Sequence, residues 1–201
     1  MIVISNPAAI ADEGKIINNL FDEGLKLFHI RKPNAAKNDI VSLIDNINLG
    51  HHPKLVLHQE YELASEFNIH RIHFTEKTMP DFEKITTGLG NKREWVFSAS
   101  THSIETFNKL PGQFTYAFLS PVYESISKSG YVSEVDIIKS VNERTNFKTK
   151  LVALGGITNK NINETLMNGF DDIALLGSIW NADDTIREFK KYFSIYNEFN
   201  K

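Results

Sequence analysis

The sequence contains no cysteine in 201 residues, which excludes disulfides and thiolate metal sites and agrees with a reducing compartment. Neither sign of charge dominates. The 22 Lys and Arg against 25 Asp and Glu leave a formal net charge of -3, with no electrostatic footprint for nucleic acid or a membrane surface. No uninterrupted apolar run approaches the roughly 20 residues of a membrane span. The opening MIVISNPAAIADEGK lacks the basic region of a secretory signal, so the cytoplasm is the expected location. No G-x-G-x-x-G follows the first apolar run, and no linker or low-complexity tract interrupts the chain. The hydrophobic fraction of 41% suits a globular protein, and the length suits one core, so one domain is expected over residues 1–201.

The stretch LVALGGITNKNINETLMNGFDDIALLGSIW, residues 151–180, organises the rest. Its first apolar run, Leu151–Leu154, closes on Gly155-Gly156 and suits a buried strand. Asn159 or Asn161 is expected to cap a helix running to about Asn168, with Gly169 as its stop. A second run, Ile173–Leu176, ends in the turn Gly177-Ser178. This is a βαβ unit with a glycine turn after each strand. Such turns let backbone N–H groups approach an anion, although tight turns alone also use glycine.

The same alternation runs through the chain. Strands are expected at Ile2–Ser5, Leu25–Ile30, Lys54–His58, Ile69–Phe74, Glu94–Ala99 and Tyr116–Leu119. Helices are expected at Ile10–Asp22, Lys37–Ile47, Glu60–Phe67, about Asp81–Thr86, about Ser103–Lys109 (capped by Ser100 or Thr101), Val135–Arg144 and Asp183–Tyr196. Eight strand–helix units in about 200 residues give an α/β fold, a small (β/α)8 barrel. An open doubly wound sheet is the runner-up.

In such a barrel the ligand site gathers at the C-terminal ends of the strands. These ends carry His29, Arg31 and Lys32; His58-Gln59-Glu60; His73, Thr75 and Glu76; and Ser98, Ser100 and His102. The polar loop Ser120–Gly130 brings Ser125, Ser127 and Lys128. Arg31 and Lys128 are natural phosphate clamps. His102 can exchange protons near neutral pH. His58 and His73 are ligand-type residues, but no His/carboxylate set has firm metal-ligand spacing, so no metal site is expected. The pair His51-His52 before Pro53 reads as solvated surface.

The segments FHIRKP, SASTHS, FLSPVYESISKSGY and LVALGGI…NGFDDIALLGSI resemble, in order, the thiamine phosphate synthase/TenI family. The resemblance implies a TIM barrel of thiamine biosynthesis that binds a thiazole phosphate, and a homo-oligomer. Its synthases join hydroxymethylpyrimidine pyrophosphate to a thiazole phosphate and release pyrophosphate with magnesium. Its TenI-like members are thiazole tautomerases without a metal. By matched position, Arg31 would contact pyrophosphate. Ser100 and His102 would be the catalytic pair. Ser125, Ser127 and Lys128 would hold phosphate groups, and Gly155, Gly156, Gly177 and Ser178 the thiazole phosphate. His29, also expected to contact substrate, replaces the glutamine usual in synthases.

The departures fall on the metal. The Asn-Asp pair after the third strand is His58-Gln59 here, and the second magnesium aspartate falls at Thr78. Glu60 and Glu76 lie nearby but out of register. The lysine two places beyond the arginine is Pro33, with Lys32 one place early. The sequence therefore leans toward a metal-independent tautomerase. A divergent magnesium-dependent synthase is the alternative, and a thiazole phosphate-binding barrel without turnover the third reading.

Overall fold

The structure is a computed structural model that describes residues 1–89, 94–123 and 137–199. Eight parallel strands close into a barrel in chain order: β1 (Ile2–Ile4), β2 (Leu27–Ile30), β3 (Leu55–Leu57), β4 (Arg71–Phe74), β5 (Val96–Thr101), β6 (Phe114–Leu119), β7 (Lys150–Leu154) and β8 (Asp172–Leu175). Pairing of β1 with β8 closes the ring, and the Trp180 indole N–H donates to the Ile4 carbonyl across that seam. Around it run α1 (Glu13–Asp22), α2 (Lys37–Asp45), α3 (Leu63–Glu66), α4 (Phe82–Leu89), α5 (Ile104–Asn108), α6 (Ile137–Ser140), α7 (Ile162–Met167), α8 (Gly177–Trp180) and α9 (Thr185–Phe199).

Period-two alternation splits the strands between two cores. Outward residues such as Val3, Phe28, Leu57, Ile72, Phe74, Ala117, Leu151 and Ile173 pack under the helices. Inward, Ile2, Ile4, Tyr116, Phe118, Val152 and Ala174 form a smaller cluster inside the barrel. Because both faces are buried, the strands read as nearly continuous apolar runs.

Several local expectations change. The helix after β3 shrinks to one turn, because Glu60 sits in the left-handed region (φ 49°) and cannot begin it. Ser103, not Ser100 or Thr101, caps α5: its Oγ accepts from the Thr106 N–H at 3.2 Å, while Thr101 stays in the strand and donates to the Phe118 carbonyl. Asn161 occupies the N-cap position of α7 but makes no cap bond, since its side chain spans the Thr158 N–H and the Gly156 carbonyl. Gly177 opens α8 rather than forming a free turn. His52 is buried, its ring bonded to the Phe67 and Ile47 carbonyls, so the expected solvated histidine pair is half core.

Candidate active site

The C-terminal mouth of the barrel collects the polar strand ends. Gly155 and Gly156 follow β7 with positive φ of 101° and 64°. A Cβ at Gly155 would meet the Pro121 backbone at 3.0 Å, so glycine is required where the β6 and β7 loops touch. Gly177 and Ser178 begin α8 after β8, on the neighbouring rim. Across the mouth, Arg31 leaves β2, and its backbone is pinned by Ser5: the Arg31 N–H donates to Ser5 Oγ at 2.8 Å, and Ser5 Oγ donates to the Arg31 carbonyl.

His102 stands exposed just past β5, with Nδ1 2.7 Å from the Ser120 carbonyl. A carbonyl only accepts, so in the neutral ring Nδ1 carries the proton and Nε2 the lone pair. Ser100 lies two residues earlier on the lumen side of β5 and bonds His73 Nε2 at 2.8 Å. The catalytic pair expected from the sequence is thus adjacent along the strand, but Ser100 already has a partner. Ser125, Ser127 and Lys128 lie outside the described residues.

Lys32 turns away from the mouth. It is buried beneath the β1–α1 loop, where Nζ donates to the Asn6 and Ala8 carbonyls at 2.7 and 2.8 Å and pairs with Glu13. Burial raises the Glu13 carboxyl, and the Lys32 charge pulls it back. Gln59 is also structural, bracketing the Lys32 backbone with both ends of its amide.

Beneath the mouth, β2, β3 and β4 send His29, His58 and His73 into one space, with ring nitrogens of all three within 4.8 Å of one another. His29 Nδ1 lies 2.8 Å from His58 Nε2, and His29 Nε2 lies 2.7 Å from the Tyr116 hydroxyl. His73 contacts Ser98 Oγ at 2.9 Å and Ser100 Oγ at 2.8 Å, and its ring stacks on His58 with centroids 4.1 Å apart. His58 Nδ1 is buried without a partner among the described residues. Burial holds all three imidazoles neutral. It is the largest cause of each downward shift, with His73 lowered to about 3 and the Arg31 charge lowering His73 and His58 further. The same burial pushes the Tyr116 phenol up. His29, expected to meet substrate, is wholly buried in this layer. Sequence reasoning named each histidine but not their convergence. The available signal was a histidine at or just beyond the end of three consecutive strands.

The described residues do not fit magnesium. Neither matched position bears a carboxylate: Thr78 Oγ1 bonds the Thr75 N–H at 2.9 Å, and His58 and Gln59 are engaged as above. Glu76 is exposed, and Glu60 sits in its left-handed turn. A hard cation that keeps several waters needs fixed carboxylates, and the two matched positions supply none. A separate cleft of about 900 Å³ lies outside the barrel between α1 and α2, lined by Ala9, Lys15, Asp39 and Ser42 among others. It is lined by α1, α2 and the β1–α1 and β2–α2 loops and by none of the strand-end histidines, so the barrel mouth, where the strand ends converge, is the better candidate.

The sequence model of the family described as thiamine monophosphate synthase matches residues 1–179. Thiamine-phosphate synthase from Staphylococcus haemolyticus is 24% identical over 204 residues, covering 90% of this chain and 89% of that protein. The enzyme of the same name from Bacteroides fragilis is 30% identical over 151 residues, covering 70% and 71%. Among solved structures, thiamine phosphate pyrophosphorylase from Bacteroides thetaiotaomicron superposes with a TM-score of 0.76 at 27% identity, covering 98% and 97% of the two chains. That from Pyrococcus furiosus, at 17% identity and a TM-score of 0.81, supports the barrel fold alone. With its closed eight-stranded barrel and this match over most of its length, the chain belongs to the thiamine monophosphate synthase family.

Proposed function

We propose that the chain is a thiamine phosphate synthase, joining hydroxymethylpyrimidine pyrophosphate to a thiazole phosphate with release of pyrophosphate. The observation that carries this reading is the family match over residues 1–179, with relatives named as synthases that the chain spans nearly end to end. Arg31 balances the pyrophosphate charge as a bidentate cation. The backbone N–H groups at Gly155-Gly156 and Gly177-Ser178 take the thiazole phosphate, and Ser125, Ser127 and Lys128 take further phosphate oxygens. Pyrophosphate release from the two substrates, followed while magnesium is titrated, tests the reading. Coupling is expected, and Arg31→Met should lower it by about 10²–10³-fold, the scale for loss of one aimed donor. Absence of coupled product at every magnesium concentration overturns it.

A second reading, a metal-independent thiazole tautomerase, is favoured by one observation: the positions for magnesium aspartates hold His58-Gln59 and Thr78. There His102, with its lone pair at Nε2, is the acid–base group. His102→Gln should lower isomerisation of the thiazole carboxylate phosphate by roughly 10²–10⁴-fold while binding survives. Full activity in that variant, or none in the wild type, removes this reading.

A further inference from the structure

We propose that His29, His58 and His73 form a binding site for one divalent transition-metal ion of the class that prefers imidazole, such as Zn²⁺ or Co²⁺. The site stands on three adjacent strands, where barrel closure brings the ring nitrogens within 4.8 Å of one another. A metal held by three imidazoles sits about 2.0–2.1 Å from each nitrogen, which puts ring centroids roughly 5 Å apart in tetrahedral geometry. His29 already lies 5.1 Å from His58 and 5.2 Å from His73, both at 70°. Only the stacked His58–His73 pair, at 4.1 Å, is closer than coordination allows. Among the described residues His58 Nδ1 has no hydrogen-bond partner, so turning that ring breaks no bond there.

The hydrogen-bond pattern fits as well. A metal takes the lone pair of one nitrogen of each ring and leaves the proton on the other. Binding needs no net proton release. The proton shared between His29 Nδ1 and His58 Nε2 moves to the far nitrogen of its own ring: to His29 Nε2, which then donates to the Tyr116 oxygen, or to His58 Nδ1. The two facing nitrogens part from 2.8 Å to about 3.3 Å, the edge of a tetrahedron with Zn–N bonds. Tyr116 behind His29, and one serine behind His73, are the hydroxyl partners that orient ligating histidines. Among the described residues no carboxylate joins the three histidines in the cluster, so the donor set selects an imidazole-loving ion over magnesium or calcium.

The test uses the whole chain, stripped of metal, and reads binding rather than turnover, so its outcome is independent of the synthase reading. Titration with Co²⁺ should give one ion per chain with intense visible ligand-field bands, displaced by Zn²⁺ and not by Mg²⁺. His58→Leu and His29→Gln should each weaken binding more than about 100-fold, beyond the 10–100-fold of a lost supporting contact. His51→Ala, which removes a partly exposed imidazole, should leave it unchanged. X-ray absorption of the zinc-loaded wild type needs no variant and should show three imidazole nitrogens. Failure to bind one Co²⁺, undiminished binding in His58→Leu, displacement by Mg²⁺, or a shell of oxygen alone overturns the proposal.

Discussion

On one side of the barrel interior, Ile2, Ile4, Phe118, Val152 and Ala174 fill the space with hydrocarbon. On the other, His29, His58, His73, Ser98 and Ser100 fill it with hydrogen-bonded polar groups. Phe118 is the seam, its ring 4.9 Å from His29 and 4.8 Å from His73. The apolar side is stabilised by burial alone, which tolerates small changes of shape and ignores pH. The polar side is stable only while its imidazoles are neutral and partnered, because a buried charge or an orphaned donor costs more than a bond returns. Arg31, the half-buried cation at the mouth, stands over the polar side and lowers His58 and His73. One barrel thus carries an apolar half and a hydrogen-bonded polar half.

Acid should separate the halves most strongly. The folded pKa values of His29, His58 and His73 lie below the unfolded value near 6.5, so the unfolded chain binds more protons below that pH. Stability from these groups is complete above about pH 6.5 and falls as pH drops toward the folded values, about 3 for His73. His73 alone should lose up to about 2 kcal/mol between pH 6.5 and 5, and His29 and His58 should lower the stability of the metal-free protein in the same direction. Urea unfolding across that range checks it, and His58→Gln should flatten the slope.

Breaking the buried ion pair under the β1–α1 loop comes next. Lys32→Met leaves Glu13 buried without its cation and should cost about 3–5 kcal/mol near neutral pH. The double variant with Glu13→Leu should recover much of that, as denaturant midpoints would report.

A cavity on the apolar side should have a smaller and simpler effect. Ile4→Ala should cost about 2–5 kcal/mol, equal at pH 5 and pH 7 within error. A pH-dependent cost there would merge the two halves into one network.

The barrel was legible in the sequence because parallel strands buried on both faces leave apolar runs, and because Gly24 and Gly169, at φ 104° and 94°, mark where helices stop. Helix lengths were less legible. The one-turn α3 depends on a left-handed Glu60, a conformation that no periodicity reveals. At the site, His29, Ser98 and Ser100 stood out because they interrupt apolar strands. Their convergence did not, since it needs the register His73↔Ser98↔Tyr116 between neighbouring strands. Lys32 beside Arg31 read as a second strand-end cation, but alternation sends adjacent side chains to opposite faces, and it went to a structural pair. The expectations for Ser125, Ser127 and Lys128 fall outside the described residues.

The claim that half of the interior is held polar but uncharged is tested most directly by NMR of histidine-labelled, metal-free protein, titrated from pH 8 to the onset of acid unfolding. His29, His58 and His73 should keep neutral-imidazole shifts throughout that range. A midpoint near 6.5 for any of the three in the folded protein would contradict the account.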